Sequence, residues 1–348
     1  MELKENVPLA PLTTLGVGGN ARFFVPAGSV HDAREAAAFA RAQKLRLFVL
    51  GGGSNVLVSD TGWDGLVLQI GIPGVEQGEK ERKALFDVGA GVDWDKFVAH
   101  CISQNCAGVE CMSGIPGSVG GTPVQNVGAY GQEVSETIVS VLAFDLGENQ
   151  IRELTAAECG FSYRASVFNT AQRGRFVILR VTYALEPGGK PNLKYADLQK
   201  YFAGSDGAPT LAETRDAVRT IRASKGMLIS PGDPDSRSAG SFFKNPVLSE
   251  SQHAELMRRA AAKNLQVPSY PALSQLRKVS AAWLVENSGF KKSYTRGNAG
   301  ISSKHALAIV NRVGATAAEI IALKDEIQER VERTWGIRLE AEPVLVGF

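Results

Sequence analysis

The stretch from Ser113 to Gly131, SGIPGSVGGTPVQNVGAYG, is the part of the chain whose residue types say most about chemistry. Glycines at 114, 117, 120, 121, 128 and 131, with Pro116 and Pro123, leave neither a helical face to bury nor a strand to pack. Such a run suits a backbone that must come close to a ligand, or aim several N–H groups at one acceptor. Between the glycines stand Ser118, Gln125, Asn126 and Tyr130, which can hydrogen-bond or stack, and apolar Ile115, Val119 and Val127. A short glycine cluster is ordinarily a surface loop. A run this long and almost without charge reads instead as a wall moulded around a large, partly apolar ligand carrying phosphate. Gly51-Gly52-Gly53-Ser54-Asn55, directly after the apolar Leu45–Leu50, is a second phosphate-cradling candidate; alone, it reads equally well as a tight turn into Val56–Val58. In FSYRASVF, Phe161–Phe168, Arg164 is the one charge in an aromatic setting, either snorkelling over a ring or buried and awaiting an anion.

The remaining composition narrows the class. With 348 residues the chain has room for two or three domains, and its 44% hydrophobic share is that of a globular protein. A net charge of +2, with no basic run interleaved with aromatics, argues against a dedicated nucleic-acid binder. No stretch is long and apolar enough for a membrane span, and MELKENVPLA lacks the core of a signal peptide. Cys101, Cys106, Cys111 and Cys159 form no CxxC pair and have no histidine at metal-ligand spacing, so they read as reduced thiols of a cytoplasmic protein without a metal site. Gly16-Val17-Gly18-Gly19-Asn20-Ala21 fits the dinucleotide fingerprint by letter, but Thr13-Thr14 precede it and the strand-like Arg22–Pro26 follows. The fingerprint needs a strand before and a helix after, so a Rossmann fold is not expected.

The elements that must position these loops follow from periodicity. Strands are expected over Ala21–Val25, Leu45–Leu50, Val56–Val58, Leu66–Ile70, Ala84–Val88, Thr137–Asp145, Arg175–Leu185, Ala306–Asn311 and Ile337–Val346. Helices are expected over Val30–Ala42 (with Ser29 as N-cap), Asp93–Gln104, Leu211–Ala223, Ser251–Lys263, Ala281–Asn287 and Thr316–Trp335, with a short one opening at Thr155–Glu158. Loops at 186–191 and 203–209 bracket LKYADLQKYF, Leu193–Phe202, which carries Tyr195.

Several motifs in order resemble one family. They are GGGSNVLV (51–58), IPGSVGGTPVQNVGAYG, the SYR triplet ending at Arg164, GSFFKNP (240–246) and LEAEP (339–343). From about Thr13 to the C-terminus the chain resembles the UDP-N-acetylenolpyruvoylglucosamine reductases (UDP-N-acetylmuramate dehydrogenases) of peptidoglycan precursor synthesis, in the longer form that has the tyrosine-bearing segment. The resemblance implies an α+β chain: an FAD-binding fold of the vanillyl-alcohol-oxidase type in two subdomains, plus a separate α+β substrate-binding domain. The expected boundaries are 1–219 for the FAD-binding region (subdomains about 1–83 and 84–219), rejoined by the C-terminal strand 336–348, and 220–335 for the substrate domain.

The same resemblance implies non-covalent FAD, with NADPH as hydride donor and a nucleotide-sugar, UDP-N-acetylglucosamine enolpyruvate, as substrate. A monomer is expected, with neither nucleic acid nor membrane as partner. Reduced flavin delivers hydride to the vinyl carbon remote from the ether oxygen, leaving an enolate that needs cationic or hydrogen-bonding groups and an acid at carbon. Arg164 and Glu342 match the groups that stabilise this intermediate, and Ser241 matches the proton donor. The cofactor-binding positions are Gly51, Gly52, Gly53, Ser54, Asn55, Gly117, Ser118, Gly121, Gln125, Asn126, Gly128, Tyr130 and Arg222. Tyr163, Tyr195, Lys225, Asn245 and His305 match substrate-binding positions, Lys225 at the diphosphate and His305 on the uridine side. Flavin oxidases of the same broad fold often hold FAD through a histidine beside the glycine loop, where this chain has Ser54-Asn55.

Overall fold

The computed structural model describes residues 1–205, 207–272 and 275–348; Asp206, in the loop 203–209, lies outside the described residues. The chain divides into two compact units, one of Met1–Pro8, Asn20–Gly53 and Trp63–Ile229, the other of Leu9–Gly19, Ser54–Gly62 and Ser230–Phe348.

Two larger sheets build the first unit, beside a small pairing of Gly128–Ala129 with Gln132–Glu133. In one, the parallel strands Leu47–Leu50, Trp63–Ile70 and Asn20–Ala27 lie side by side, with Lys4–Pro8 antiparallel at the edge. Leu66, Val67 and Leu68 are all buried, the pattern of a strand covered on both faces. The helix Val30–Ala42 starts where expected, its N-cap Ser29 accepting from Asp32 N. It buries Ala33, Ala36, Ala37 and Ala40, a one-sided stripe of small residues that allows close approach. The other sheet is antiparallel, in the order Gln150–Thr155, Ile138–Asp145, Phe176–Pro187, Lys83–Gly89, Val75–Lys80.

The aromatic core of this unit fixes the glycine run. The helix Trp94–Ser103 buries Trp94, Phe97, Val98 and Cys101. Trp94 donates its backbone N–H to Gly117 O (3.0 Å) and its indole N–H to Met112 O (3.1 Å). The Tyr183 hydroxyl pairs with Thr122 Oγ1 at 2.7 Å. The run packs few side chains of its own, Val119 in the core with Ile115, Val124 and Val127 against it, and is further tied down by hydrogen bonds from core residues. The helix Leu211–Ser224, opened by a capping box between Thr210 and Glu213, supplies the second support. Its Arg215 and Arg219 bind Asp95, which also accepts from Gly114 N at 2.6 Å.

In the second unit, one core gathers the helices Glu250–Ala261, Ala281–Glu286 and Ala317–Trp335 with two small three-stranded sheets. The indole of Trp335 donates to Leu284 O at 3.2 Å and its ring lies 5.0 Å from that of Trp283. Val344–Val346 pairs parallel with Val56–Val58, so the end of the chain returns to the segment behind the first glycine cluster.

Several expectations need correction. Thr155–Glu158 is a turn: Glu158 accepts from Thr155 N and Oγ1, a cap closed on itself with no helix behind it. Only Val344–Val346 of 337–346 is a strand, because the residues before it bond individually to the segment around Phe242, and Ala306–Asn311 shortens to Ile309–Asn311. A boundary at 219/220 would cut the helix Leu211–Ser224, and one at 83/84 would cut the hairpin Val75–Lys80/Lys83–Gly89. The compact units part at Ile229/Ser230, and the C-terminal strand belongs to the second with Val56–Val58.

Buried Asp145 gives the fold a pH signature. Hydrogen bonds from Arg175, then from the backbone of Glu148 and Gly147, outweigh burial and hold its carboxyl down at about 2, against an ordinary 3.8. A folded value below the unfolded one contributes stability that is full above about pH 4 and lost as pH falls through about 2. Asp145→Asn should lower the melting temperature by several degrees at pH 7. The gap from wild type should close between pH 4 and pH 2 in a thermal-melt series, and a gap constant with pH would contradict the assignment.

Candidate active site

In the first unit two glycine segments press together. A Cβ on Gly52 would lie 2.6 Å from Gly117 Cα, and one on Gly51 would lie 2.7 Å from Ser118 Oγ. Gly53 (φ +66°) and Gly117 (φ +117°) adopt backbone conformations that favour glycine. Ser118 Oγ is buried and makes no hydrogen bond among the described residues. A buried hydroxyl without a partner beside two closely apposed glycine backbones fits a ligand that brings its own acceptor, as the diphosphate of FAD does. Gly121 lies exposed, with open space where its side chain would be.

Asn126 and Arg164 share one construction. Asn126 (φ +44°) is buried, donates to Glu133 Oε2 and Ser162 O, and accepts from Ser135 N. Its side chain therefore ties the glycine run to the SYR turn. Ser162 and Ala165 close that turn with two backbone bonds, leaving Arg164 at φ +54°. A non-glycine residue held in the left-handed region costs free energy that the surroundings must offset, and such positions cluster at functional sites. The Arg164 guanidinium donates to Gly128 O at 2.9 Å and lies 5.4 Å from the Tyr163 ring.

Tyr130 (φ +48°), Tyr195, Lys225 and Arg222 form a second group in this unit. The rings of Tyr130 and Tyr195 meet edge to face at 5.4 Å, and Lys225 Nζ stands 5.9 Å from the Tyr130 ring. Burial pushes the Tyr130 hydroxyl up to about 12, so it is a neutral donor. Burial also pulls Arg222 down from 12.5; its guanidinium donates to Gly114 O and Met227 O, gripping the glycine run at the residue whose N–H binds Asp95. Lys225 is bound to Asp197 in the short helix Ala196–Tyr201. Gln125 is half-buried in the run.

In the second unit the GSFFKNP segment explains itself. Gly240 enters at φ +73°, and buried Phe242 and Phe243 anchor in the core with rings 5.7 Å apart, which leaves half-buried Ser241 at the core's margin. Across from it runs 340–342: Glu342 N donates to Phe242 O (2.9 Å), Lys244 N donates to Glu340 O (3.0 Å), and Phe243 bridges Ala341 antiparallel. Asn55 completes the clamp, its amide donating to Glu342 O at 3.2 Å while its carbonyl accepts from Val344 N. Ser54 O accepts from Thr14 Oγ1. Asn245 Oδ1 accepts from Ala281 N, serving the start of a helix as well as any ligand. Exposed Glu340 pairs with Lys244. Ser241 Oγ lies 3.1 Å from His305 Nε2, a contact between residues 64 apart that no local pattern announced.

Residues 21–154 match the FAD binding domain family, and residues 233–346 match the UDP-N-acetylenolpyruvoylglucosamine reductase C-terminal domain. The chain is therefore a flavin-dependent oxidoreductase with an α+β fold. It is 44% identical to UDP-N-acetylenolpyruvoylglucosamine reductase of Thermobifida fusca over 98% of this chain and 97% of that one. It is 41% identical to the protein of the same name from Saccharopolyspora erythraea, over 97% of this chain and 94% of that one. On these similarities it belongs to the UDP-N-acetylenolpyruvoylglucosamine reductase family. The crystal structure of the Thermus caldophilus reductase of that name shares the fold, with a TM-score of 0.64 at 24% identity over 99% of this chain and 98% of that one.

Gly52→Ala tests the cradle. Its Cβ would meet the backbone of Gly117, so the two segments must part. The dissociation constant for FAD should rise at least about tenfold, or ~1.4 kcal/mol, in a fluorescence titration of flavin-stripped protein. An unchanged affinity would remove the paired glycines from the cofactor site.

Proposed function

We propose that the protein reduces UDP-N-acetylglucosamine enolpyruvate to UDP-N-acetylmuramate for peptidoglycan precursor synthesis, with NADPH as donor, as a cytoplasmic monomer. The observation that carries the reading is the backbone ladder that fixes Ser241 and Glu342 on facing segments of one unit. A protein that only bound nucleotide would need no hydroxyl poised in this way.

FAD, bound non-covalently, supplies the hydride. What the chain supplies follows from charge. Adding hydride to the vinyl carbon puts negative charge on the carbon beside the carboxylate, and a preoriented cation lowers the energy of that enolate. Arg164, held at φ +54° and donating to Gly128 O, carries the planar guanidinium fork that matches a carboxylate. Ser241 gives its proton to the enolate carbon; a weak acid suffices for so strong a base when the distance is fixed. Glu342, clamped on both sides of its peptide unit, acts in its protonated form beside the same intermediate. Tyr195, Lys225 and Asn245 hold the nucleotide-sugar, Tyr163 and His305 border it, and the diphosphate exchanges with Asp197 for Lys225. Gly51–Asn55, Gly117, Ser118, Gly121, Gln125, Asn126, Gly128, Tyr130 and Arg222 form the cofactor side.

Only one half of the reaction needs an acid at carbon. Ser241→Ala should leave flavin reduction by NADPH near normal and slow reoxidation by the enolpyruvyl substrate by roughly 10²–10⁴-fold, with partial recovery in Ser241→Cys. Stopped-flow flavin absorbance separates the halves. Equal slowing of both would make Ser241 a structural residue.

A further inference from the structure

We propose that His305 is a positioning residue for Ser241, aiming its hydroxyl and returning to it the proton that it gives up. The inference rests on the reading of Ser241 as the acid and deepens it. Its basis is the 3.1 Å approach of His305 Nε2 to Ser241 Oγ and the rigidity of both ends.

Each partner is held independently of their mutual bond. Phe242, next to Ser241, is buried and donates its N–H to Leu307 O at 2.8 Å, so the serine segment is tied to the loop that carries the histidine. That loop is closed on itself. Buried Ser302 accepts through Oγ from both Lys304 N and His305 N, donates its own N–H to Ala308 O, and Ala308 N returns a bond to His305 O. Asp235 accepts from Ser303 N and Oγ, fixing the turn from outside. Of the charged groups on these segments, Lys304 pairs with Asp233 at 2.6 Å, Asp235 is engaged with Ser303, and Glu342 donates its backbone N–H to Phe242 O. Lys304 and Asp235 thus serve loop structure, and the imidazole is a titratable group at hydrogen-bond distance from the serine.

The chemistry needs such a group. When Ser241 protonates carbon, the Oγ–H bond breaks, the C–H bond forms, and an alkoxide would remain. An imidazolium at Nε2 passes its proton to Oγ and becomes the neutral ring protonated on Nδ1, which then takes a proton from water. Charge and atoms balance, and no redox partner is needed beyond those of the reduction itself. With Nε2 unprotonated, the serine O–H instead donates to the ring and is aimed away from the substrate. Reoxidation should therefore be fast while the ring is protonated and fall as rising pH removes that proton.

The test is flavin reoxidation by enolpyruvyl substrate, followed across pH in wild type, His305→Gln, His305→Ala and Ser241→Ala. Glutamine can keep a hydrogen bond to Oγ but cannot relay a proton. His305→Gln should slow reoxidation at saturating substrate by about tenfold or more at low pH and flatten the profile, a loss in rate that exceeds any loss in product affinity. Added imidazole should restore part of the rate in His305→Ala. In a ¹⁵N NMR titration of the holoenzyme, the His305 midpoint should move in Ser241→Ala. A wild-type profile in His305→Gln, or a defect wholly in substrate affinity, would overturn the proposal and make His305 a substrate contact. Failure of the underlying reading shows separately, as normal reoxidation in Ser241→Ala.

Discussion

The short antiparallel ladder between 242–244 and 340–342 is the constraint on which the second unit's chemistry depends. Its three contacts join segments about a hundred residues apart, and each does more than hold backbone. The bond from Glu342 N to Phe242 O places a carboxylate and a hydroxyl in neighbouring registers. Two buried phenylalanines keep one side from slipping, and the parallel pairing of Val344–Val346 with Val56–Val58 keeps the other. Asn55 closes the corner between them. Ser241 can stay accessible because its neighbours carry the burial.

The first unit solves a different problem. A backbone that must approach a diphosphate gives up the side chains that would otherwise hold it in place. The glycine run is therefore gripped from outside: by Trp94 and Tyr183 from the core, by Asp95 and Arg222 at the two ends of Gly114's peptide groups, and by Asn126 at the SYR turn. Each of these is a single hydrogen bond worth roughly 1 kcal/mol or somewhat more where a charge takes part. Together they replace the packing that the glycines forgo, and they leave Ser118 Oγ as a buried group still to be satisfied.

Much of this was legible in the sequence, for identifiable reasons. Helices with a clear cap and an apolar stripe, such as Val30–Ala42 and Leu211–Ser224, agree with expectation nearly to the residue, and the buried part of the strand Trp63–Ile70 is legible from Leu66 onward. The strands Val75–Lys80 and Gln150–Thr155 escaped notice because they are exposed edges rich in charge, with no apolar alternation to betray them. Thr155–Glu158 carried a capping signature without a helix, since the cap chemistry also stabilises a lone turn. At the site, motifs located the glycine segments, the SYR turn and GSFFKNP. They could not show which side chains also brace the loop, as Asn126 does, nor reveal partners distant in sequence, as with Asp197 for Lys225 and His305 for Ser241. Such pairings depend on tertiary contacts that no local spacing encodes.

The central claim is that a donor fixed by the ladder protonates one face of a carbon beside a carboxylate. The most direct measurement is the position and configuration of deuterium in product formed in D₂O with unlabelled NADPH, read by NMR. The account predicts solvent deuterium on the carbon next to the carboxylate in a single configuration, whatever label the exchangeable N5–H of the reduced flavin carries to the methyl carbon. Deuterium in both configurations at the carbon next to the carboxylate, or none there, would contradict it.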